Sequence, residues 1–248
     1  MRLKKIIFLL LLSQFVLTSC KTYRNLDKAL ANPEDVIVLK IKNRNLQELP
    51  PEISTLKNLK TLYLFRDKLA TLPKEIGELE NLETLILSSN KLTTIPPEIE
   101  KLIKLKKLSI KSNSLKYLPS EIGNLVNLEY LDIQYNDLKA IPVEIGNLKE
   151  LKFLFANNNL LESIPKEIGK MESLQYLVIG KNSLTELPYE IGNLEYLIEL
   201  NLVNCGPMVE IPASISKLRY LEFLFIDNSL LIPTTIVSVN PRLQIVVQ

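Results

Sequence analysis

Aliphatic residues recur along this chain between Val36 and Gln248, at a spacing of 23 residues in all but the last units. In the most regular copy, residues 82–104, Leu82, Leu85 and Leu87 have the spacing of a short strand with one buried face. A repeat of this length predicts a solenoid, in which each unit buries its apolar face against its neighbours. We therefore expect the unchanging positions to form the scaffold and the variable positions to carry function.

The second half of each unit follows the pattern Pro-x-Glu-Ile-Gly-x-Leu. Proline in a first turn, with an acidic residue just after it, favours a short helical or 3₁₀ segment. Because the glutamate recurs so regularly, we assign it to helix capping and not to acid chemistry. The glycine column predicts a tight turn. These glycines are Gly77, Gly123, Gly146, Gly169 and Gly192.

A small polar residue follows the strand in nearly every unit. We predict that its side chain satisfies backbone groups where the chain leaves the strand, and that stacked copies form a ladder. The ladder residues are Asp67, Asn90, Asn113, Asn136, Asn159, Asn182 and Cys205. A one-residue insertion beside Cys205 predicts a bulged turn there, and a buried structural thiol is favoured over a reactive one.

Residues 1–19 differ from the repeats. Three basic residues precede an apolar run from Ile6 to Leu17, which is shorter than the roughly 20 residues that span a bilayer and predicts a cleaved signal peptide. The sequence Leu17-Thr18-Ser19-Cys20 resembles a bacterial lipobox, and this resemblance implies lipidation of Cys20 after cleavage before it. Ordinary signal cleavage beside a coincidental cysteine is the alternative. Lys21 avoids the aspartate that retains many lipoproteins in the inner membrane.

The repeats resemble the leucine-rich-repeat proteins of bacteria, especially spirochaetal members, whose pattern is L-P-x-E-I-G-x-L-x-N-L-x-x-L-x-L-x-x-N-x-L. This resemblance implies an α/β solenoid: a right-handed horseshoe with a concave parallel sheet and short helical or 3₁₀ segments on the convex side. Three regions follow: a signal peptide (1–19), an anchor linker with a cap helix (20–35), and about nine repeats with a truncated last strand (36–248). Tyr23, Leu26 and Leu30 predict the cap helix over 23–31.

Residues between the strand leucines should lie on the concave face, because successive strand residues point to opposite sides. Nine of the fourteen aromatic residues beyond position 19 fall in these variable columns, which indicates a binding surface. Cross-strand stacking that only stabilises the sheet, by about 0.2–1 kcal/mol per pair, is the alternative. The predicted ligand-binding residues are Tyr63, Phe65, Lys107, Lys111, Tyr130, Asp132, Tyr135, Phe153, Phe155, Tyr176, Glu199, Asn201, Phe223, Phe225 and Asp227.

Composition argues against catalysis. The chain has no histidine, which removes the commonest general base and metal ligand, and only one cysteine besides Cys20. Loss of residues 1–19 would bring the formal net charge from +2 to about −1, so no general attraction to nucleic acid is expected. We predict no enzyme activity, no cofactor and no metal.

Together these patterns predict an exported, lipid-anchored interaction module that binds a protein on its concave face. The outer membrane or the cell surface is favoured over the inner membrane. The resemblance to bacterial leucine-rich-repeat proteins, and not the residues themselves, makes a host protein one candidate partner. The alternative ligand is a glycan, which flat aromatic rings could stack on and which the neighbouring Asp132, Asn157, Asn158 and Asn201 could hydrogen-bond. The apolar strand in residues 243–248 predicts self-association at that edge of the sheet.

Overall fold

The computed structural model describes residues 21–207, 209–230, 232, 240 and 242–248. Its strands form one parallel sheet in chain order, so each strand pairs with the next along the chain. The predicted α/β solenoid with a parallel sheet is confirmed. The strands are β1 (Thr22–Tyr23), β2 (Val38–Lys42), β3 (Thr61–Phe65), β4 (Thr84–Ile86), β5 (Lys107–Ser109), β6 (Tyr130–Asp132), β7 (Phe153–Phe155), β8 (Tyr176–Val178), β9 (Glu199–Asn201), β10 (Phe223–Ile226) and β11 (Gln244–Val247).

The strand register places equivalent residues of successive units side by side. Leu85 of β4 pairs with Leu108 of β5, and Leu108 pairs with Leu131 of β6. These leucines are fully buried, whereas the residues before and after each of them face the concave side. The hydrophobic core is therefore a continuous column of aliphatic side chains behind the sheet.

Short 3₁₀ helices line the convex side, as the proline-glutamate pattern predicts. In each regular unit, proline is the N-cap residue of the 3₁₀ helix, for example Pro142 before Val143–Asn147. Their bounds are Pro33–Asp35, Pro51–Thr55, Lys74–Glu78, Pro97–Lys101, Ser120–Asn124, Val143–Asn147, Lys166–Lys170, Tyr189–Asn193 and Ala213–Lys217. The glutamates lie in the first turns, where a negative charge favours the helix end, but the N-caps form no side-chain hydrogen bond.

The role predicted for the glycine column is wrong. No described glycine has a positive φ, so no tight turn requires the flexibility of glycine at these positions. The glycines instead permit close stacking of 3₁₀ helices. A Cβ atom on Gly146 would lie 2.5 Å from the backbone oxygen of Glu167 in the next unit. The turn lies one residue before the polar ladder, where Ser89 and Tyr135 have φ values of 61° and 53°.

The polar ladder joins each unit to its neighbours. Asn136 donates from Nδ2 to the Ile110 and Ile133 carbonyl oxygens, at 3.1 and 3.0 Å. Its Oδ1 accepts from the Leu115 amide at 3.1 Å. Asn90, Asn113, Asn159 and Asn182 make equivalent bonds. Asp67 accepts from the amides of Arg44 and Leu46.

Cys205 fills the same position by a different arrangement. Its thiol is fully buried, and burial raises its pKa to about 11, which is typical of an unreactive cysteine. The insertion allows its backbone carbonyl to accept from the Leu184 amide at 2.8 Å, in place of an asparagine side chain. Past this point Leu200 pairs with Leu224, a step one residue longer than in the regular units.

The N-terminal cap differs from its prediction. The helix, α1, covers only Leu26–Leu30, and Asn25 caps it by accepting from the Lys28 amide at 2.8 Å. Tyr23 lies in β1, which pairs with β2, and not on the helix. At the other end β11 pairs with β10, as the last apolar strand predicts. The predicted signal peptide and lipidation site, residues 1–20, lie outside the described residues.

Candidate functional site

The concave face of the sheet carries the variable residues in two aligned columns. One column runs through Lys107, Tyr130, Phe153, Tyr176 and Glu199, which are paired in register on five successive strands. The second contains Tyr63, Ile86, Ser109, Asp132, Phe155, Val178, Asn201 and Phe225. The predicted rings are half-buried here, except Tyr135, which is 48% exposed at the rim.

Four rings meet at the middle of this face, and we call Tyr130, Phe153, Phe155 and Tyr176 the central cluster. Phe153 and Tyr176 stack with ring centroids 4.9 Å apart and planes 12° from parallel. Tyr130 is tilted against Phe153 and Phe155, with centroids 6.0 and 5.5 Å away. Burial raises the pKa of Tyr130, and the nearby Asp132 charge adds to this.

The central cluster has the features of both a stabilising cross-strand stack and a binding surface. The rings form cross-strand contacts that stabilise neighbouring strands. They also keep part of their surface open to solvent, because no other element covers the concave side of β6–β8 in the described residues. A preformed, partly exposed aromatic cluster provides a large contact area with little side-chain entropy left to lose.

Two smaller ring pairs flank the central cluster. Phe223 and Phe225 stack at 6.2 Å near the C-terminal end of the sheet. Tyr63 and Phe65 lie on β3, near the N-terminal end. Thr84 and Ile86 separate Tyr63 and Phe65 from the centre, and Glu199 and Asn201 separate the other pair from it. The structure therefore does not bring the predicted rings into a single patch.

Lysine side chains lie over several of these rings. The Lys107 ammonium is 4.4 Å from the centroid of Tyr130, and that of Lys111 is 5.3 Å from Tyr135. Lys40 lies over Tyr63 at 5.0 Å and Lys42 over Phe65 at 5.5 Å. Cation–π contacts of this kind contribute about 0.5–1 kcal/mol at exposed sites. Sequence reasoning passed over Lys40 and Lys42, although each lies one repeat before an aromatic residue.

Asp132 is less accessible than the sequence predicts. It is only 7% exposed, and its carboxylate accepts from the Gln134 amide at 3.2 Å and from the Ser109 hydroxyl at 3.4 Å. Burial raises the pKa of Asp132, while Lys111 and Lys107 act in the opposite direction. The alternation pattern places this residue on the concave face but does not reveal how deeply its side chain is buried.

The C-terminal part of the face is acidic. Burial raises the pKa of Glu199 above its ordinary value. Asp227 is half-buried; burial tends to raise its pKa, but hydrogen bonds from Ser229 and from the Asn204 amide lower it below the usual value. The Asn201 side chain forms an internal hydrogen bond, in which its Oδ1 accepts from the Val203 amide at 3.2 Å.

A second aromatic feature lies away from the sheet, and sequence reasoning missed it. Tyr196 and Tyr220 stack at 5.8 Å in the turns that precede β9 and β10, and they are 52% and 55% exposed. Their spacing of one repeat plus the inserted residue is the signal that would have found this pair.

The described residues include no group of three or more carboxylate or cysteine side chains placed to hold a metal ion. Among the helices that the structure describes, none has both the length and the apolar composition needed to cross a bilayer.

This stack of strand, ladder and 3₁₀ helix is the architecture of a leucine-rich-repeat solenoid, and the comparisons agree. Models described as "Leucine-rich repeat region" and "Leucine Rich Repeat" match residues 93–183 and 81–102. A leucine-rich-repeat protein from Leptospira interrogans is 30% identical, with a TM-score of 0.71 over 92% of this chain and 76% of that protein. The chain therefore belongs to the leucine-rich-repeat family. No curated protein matches it.

Two other solved structures are similar. One is the ectodomain of the Arabidopsis thaliana membrane receptor kinase GASSHO1/SCHENGEN3, in complex with Casparian strip integrity factor 2. It is 30% identical, with a TM-score of 0.74 over 86% of this chain and only 27% of the receptor chain. The other is an internalin (inlF) from Listeria monocytogenes, which at 19% identity shows the fold alone, with a TM-score of 0.77 over 90% of this chain and 64% of the internalin.

Proposed function

We propose that this protein is a non-catalytic interaction module that binds a protein partner on its concave face, at and around the central cluster. The observation that carries the proposal is a half-exposed cluster of aromatic rings, Tyr130, Phe153, Phe155 and Tyr176, on a concave face that no other described element covers. Ten repeat strands about 4.8 Å apart would line an arc of roughly 45 Å, enough for a standard protein interface.

The polar groups beside the rings favour a protein over a glycan. Sugar binding needs hydrogen-bonding side chains that are free to reach hydroxyl groups next to an aromatic platform. In the second column, Asp132 and Asn201 both use side-chain oxygen atoms in internal hydrogen bonds. A glycan stays the alternative ligand, and an array of polysaccharides and oligosaccharides tests for it directly.

Affinity capture tests the proposal with a matched pair of variants. Phe153→Ala/Phe155→Ala removes two rings of the central cluster. Tyr196→Ala/Tyr220→Ala removes a stacked pair of similar size away from the sheet and serves as the control. We expect the first variant to lose its captured partner by at least about tenfold, since truncated hot-spot residues cost about 2 kcal/mol or more. Equal capture by wild type and both variants would contradict the proposal that the partner binds on the concave face.

We further propose that a lipid on Cys20 anchors the module to a bacterial membrane, with the outer membrane or the cell surface as its location. The lipobox-like sequence and Lys21 support this, and an outward-facing module would be available to host proteins. Mass spectrometry of the mature N-terminus tests the anchor. A terminus that begins elsewhere than Cys20, or an unmodified Cys20, would exclude it. Self-association through β11 stays a prediction, which sedimentation velocity of the delipidated protein tests.

A further inference from the structure

Charged side chains on the concave face are segregated along the solenoid. In the columns that face this side, the cations Lys40, Lys42, Lys107 and Lys111 lie on or just after β2 and β5. The anions Asp132, Glu199 and Asp227 lie on β6, on β9 and just after β10. The central cluster lies between Lys107 on one side and Glu199 on the other. A ligand that crosses the strands therefore meets positive charge, then aromatic rings, then negative charge.

The concave lysines are held by rings and not by carboxylates. Lys107 and Lys111 contact Tyr130 and Tyr135, whereas the ion pairs among the described residues involve other lysines, such as Lys152 with Glu129 at 2.8 Å. An ammonium over a ring face keeps its N–H donors for a further partner. The buried Asp132 is close enough for Lys107 and Lys111 to lower its pKa, but it forms no ion pair with either of them in the described residues.

The register sets the spacing of the groups that a ligand would contact. Lys107, Phe153 and Glu199 are two strands apart in the same column, and two strand spacings amount to about 10 Å. An extended peptide advances about 3.3 Å per residue, so about three residues span each interval. The matching segment has an acidic residue, an apolar residue about three positions away, and a basic residue about three positions further.

We propose that the concave face recognises an extended protein segment with this charge order: acidic opposite Lys107 and Lys111, apolar on the Phe153–Tyr176 stack, and basic opposite Glu199. The inference rests on the proposed function and adds the chemistry and the direction of the partner. The stacked rings supply a flat apolar platform, and the charges at its two ends fix the orientation of the segment. A segment laid in the opposite direction would place like charges against each other at both ends.

Selection of peptides tests this inference. A displayed library of random 12-residue peptides is selected on the full chain, and the enriched sequences are measured for affinity. We expect enrichment of an acidic and a basic residue on opposite sides of an apolar one. We also expect Lys107→Glu/Lys111→Glu to weaken the selected peptides by about 10- to 30-fold, as the loss of two exposed ion pairs and the gain of two repulsions imply.

The control variant has the same change in net charge. Lys101→Glu/Lys166→Glu reverses two exposed lysines on the convex 3₁₀ helices, and it should leave peptide affinity within about twofold of wild type. Asp132→Asn should tighten the same peptides by severalfold, because it removes the negative charge beside Lys107 and Lys111. A direct contact between Asp132 and the ligand would have the opposite effect. Equal losses in both lysine variants would overturn the inference.

The outcomes separate the inference from the proposed function. Peptides that depend on Phe153 and Phe155 but are unaffected by Lys107→Glu/Lys111→Glu would overturn the charge order and leave the protein-binding face intact. Selection of no peptide, or binding only of acidic glycans on an array, would also overturn the inference. The proposed function itself fails only if wild-type protein captures no partner that Phe153→Ala/Phe155→Ala loses.

Discussion

Replacing Asn136 by alanine tests how much the polar ladder contributes to the solenoid. The Asn136 side chain is 6% exposed, and its Oδ1 is the acceptor found for the Leu115 amide. The carbonyl oxygens that Nδ2 contacts keep second donors, since Asn113 also donates to Ile110 and Asn159 also donates to Ile133. The alanine variant therefore leaves the buried Leu115 N–H group without its acceptor. The Ile110 and Ile133 carbonyl groups lose one hydrogen bond each but keep a donor from a unit next to that of Asn136.

The expected loss follows from these groups. An unsatisfied buried amide costs about 1–3 kcal/mol, and each lost carbonyl bond about 0.5–1 kcal/mol. We expect Asn136→Ala to lower the free energy of unfolding by about 2–5 kcal/mol. Urea denaturation of the purified chain, followed by circular dichroism, measures this from the midpoint if the slope of the transition is unchanged.

Asn124→Ala is the matched control. The Asn124 side chain is exposed and donates to the Glu100 carboxylate at 2.8 Å on the convex side. Its loss should change the free energy of unfolding by less than about 0.5 kcal/mol. A loss below about 1 kcal/mol for Asn136→Ala, or a loss equal to that of the control, would contradict the assignment of the ladder to structural stabilisation.

Three further predictions concern single positions. Gly146→Ala should lower the free energy of unfolding by about 1–3 kcal/mol in the same urea assay, because the new Cβ would meet the Glu167 backbone oxygen at 2.5 Å; unchanged stability would refute the close-stacking role. Cys205 should resist iodoacetamide at pH 8 in the native protein and react after unfolding in urea, as peptide mass spectrometry would show, since burial raises its pKa to about 11; native labelling would contradict this. Burial raises the pKa of Asp132 in the folded state. Between the ordinary aspartate pKa and this raised pKa, the folded state binds more protons than the unfolded state, so the free energy of unfolding falls as pH rises through that interval. Asp132→Asn should remove that fall from a pH series of urea midpoints, and an unaltered pH profile would count against it.

The repeat pattern predicted most of the fold because one period determines both the strand and its partner. Each leucine that alternates with a variable residue must lie beside its equivalent in the next unit, and Leu85 and Leu108 do so. The pattern could not predict β1, since Thr22 and Tyr23 precede the first repeat and their pairing depends on the backbone of β2. It also assigned the wrong role to the glycine column, because glycine is favoured both at a tight turn and where the backbones of two units approach closely.

The candidate site was predictable as a set of columns but not as a surface. Alternation placed Tyr130, Phe153 and Tyr176 side by side on the concave face. How deeply each residue is buried depends on the size of its neighbours, and Asp132, which pairs with Ser109 on one side and Phe155 on the other, is only 7% exposed. The position of the Lys107 ammonium over the Tyr130 ring depends on side-chain rotamers, which the sequence pattern does not specify.

Photocrosslinking at the central cluster tests the concave binding face most directly. The photoreactive residue p-benzoylphenylalanine is placed at Tyr176, which stacks on Phe153, or at Tyr117, which is 58% exposed and lies outside the sheet. After irradiation with the captured partner, we predict a covalent adduct from position 176 and none from position 117. An adduct from position 117 with none from position 176 would show that the partner binds elsewhere on the solenoid.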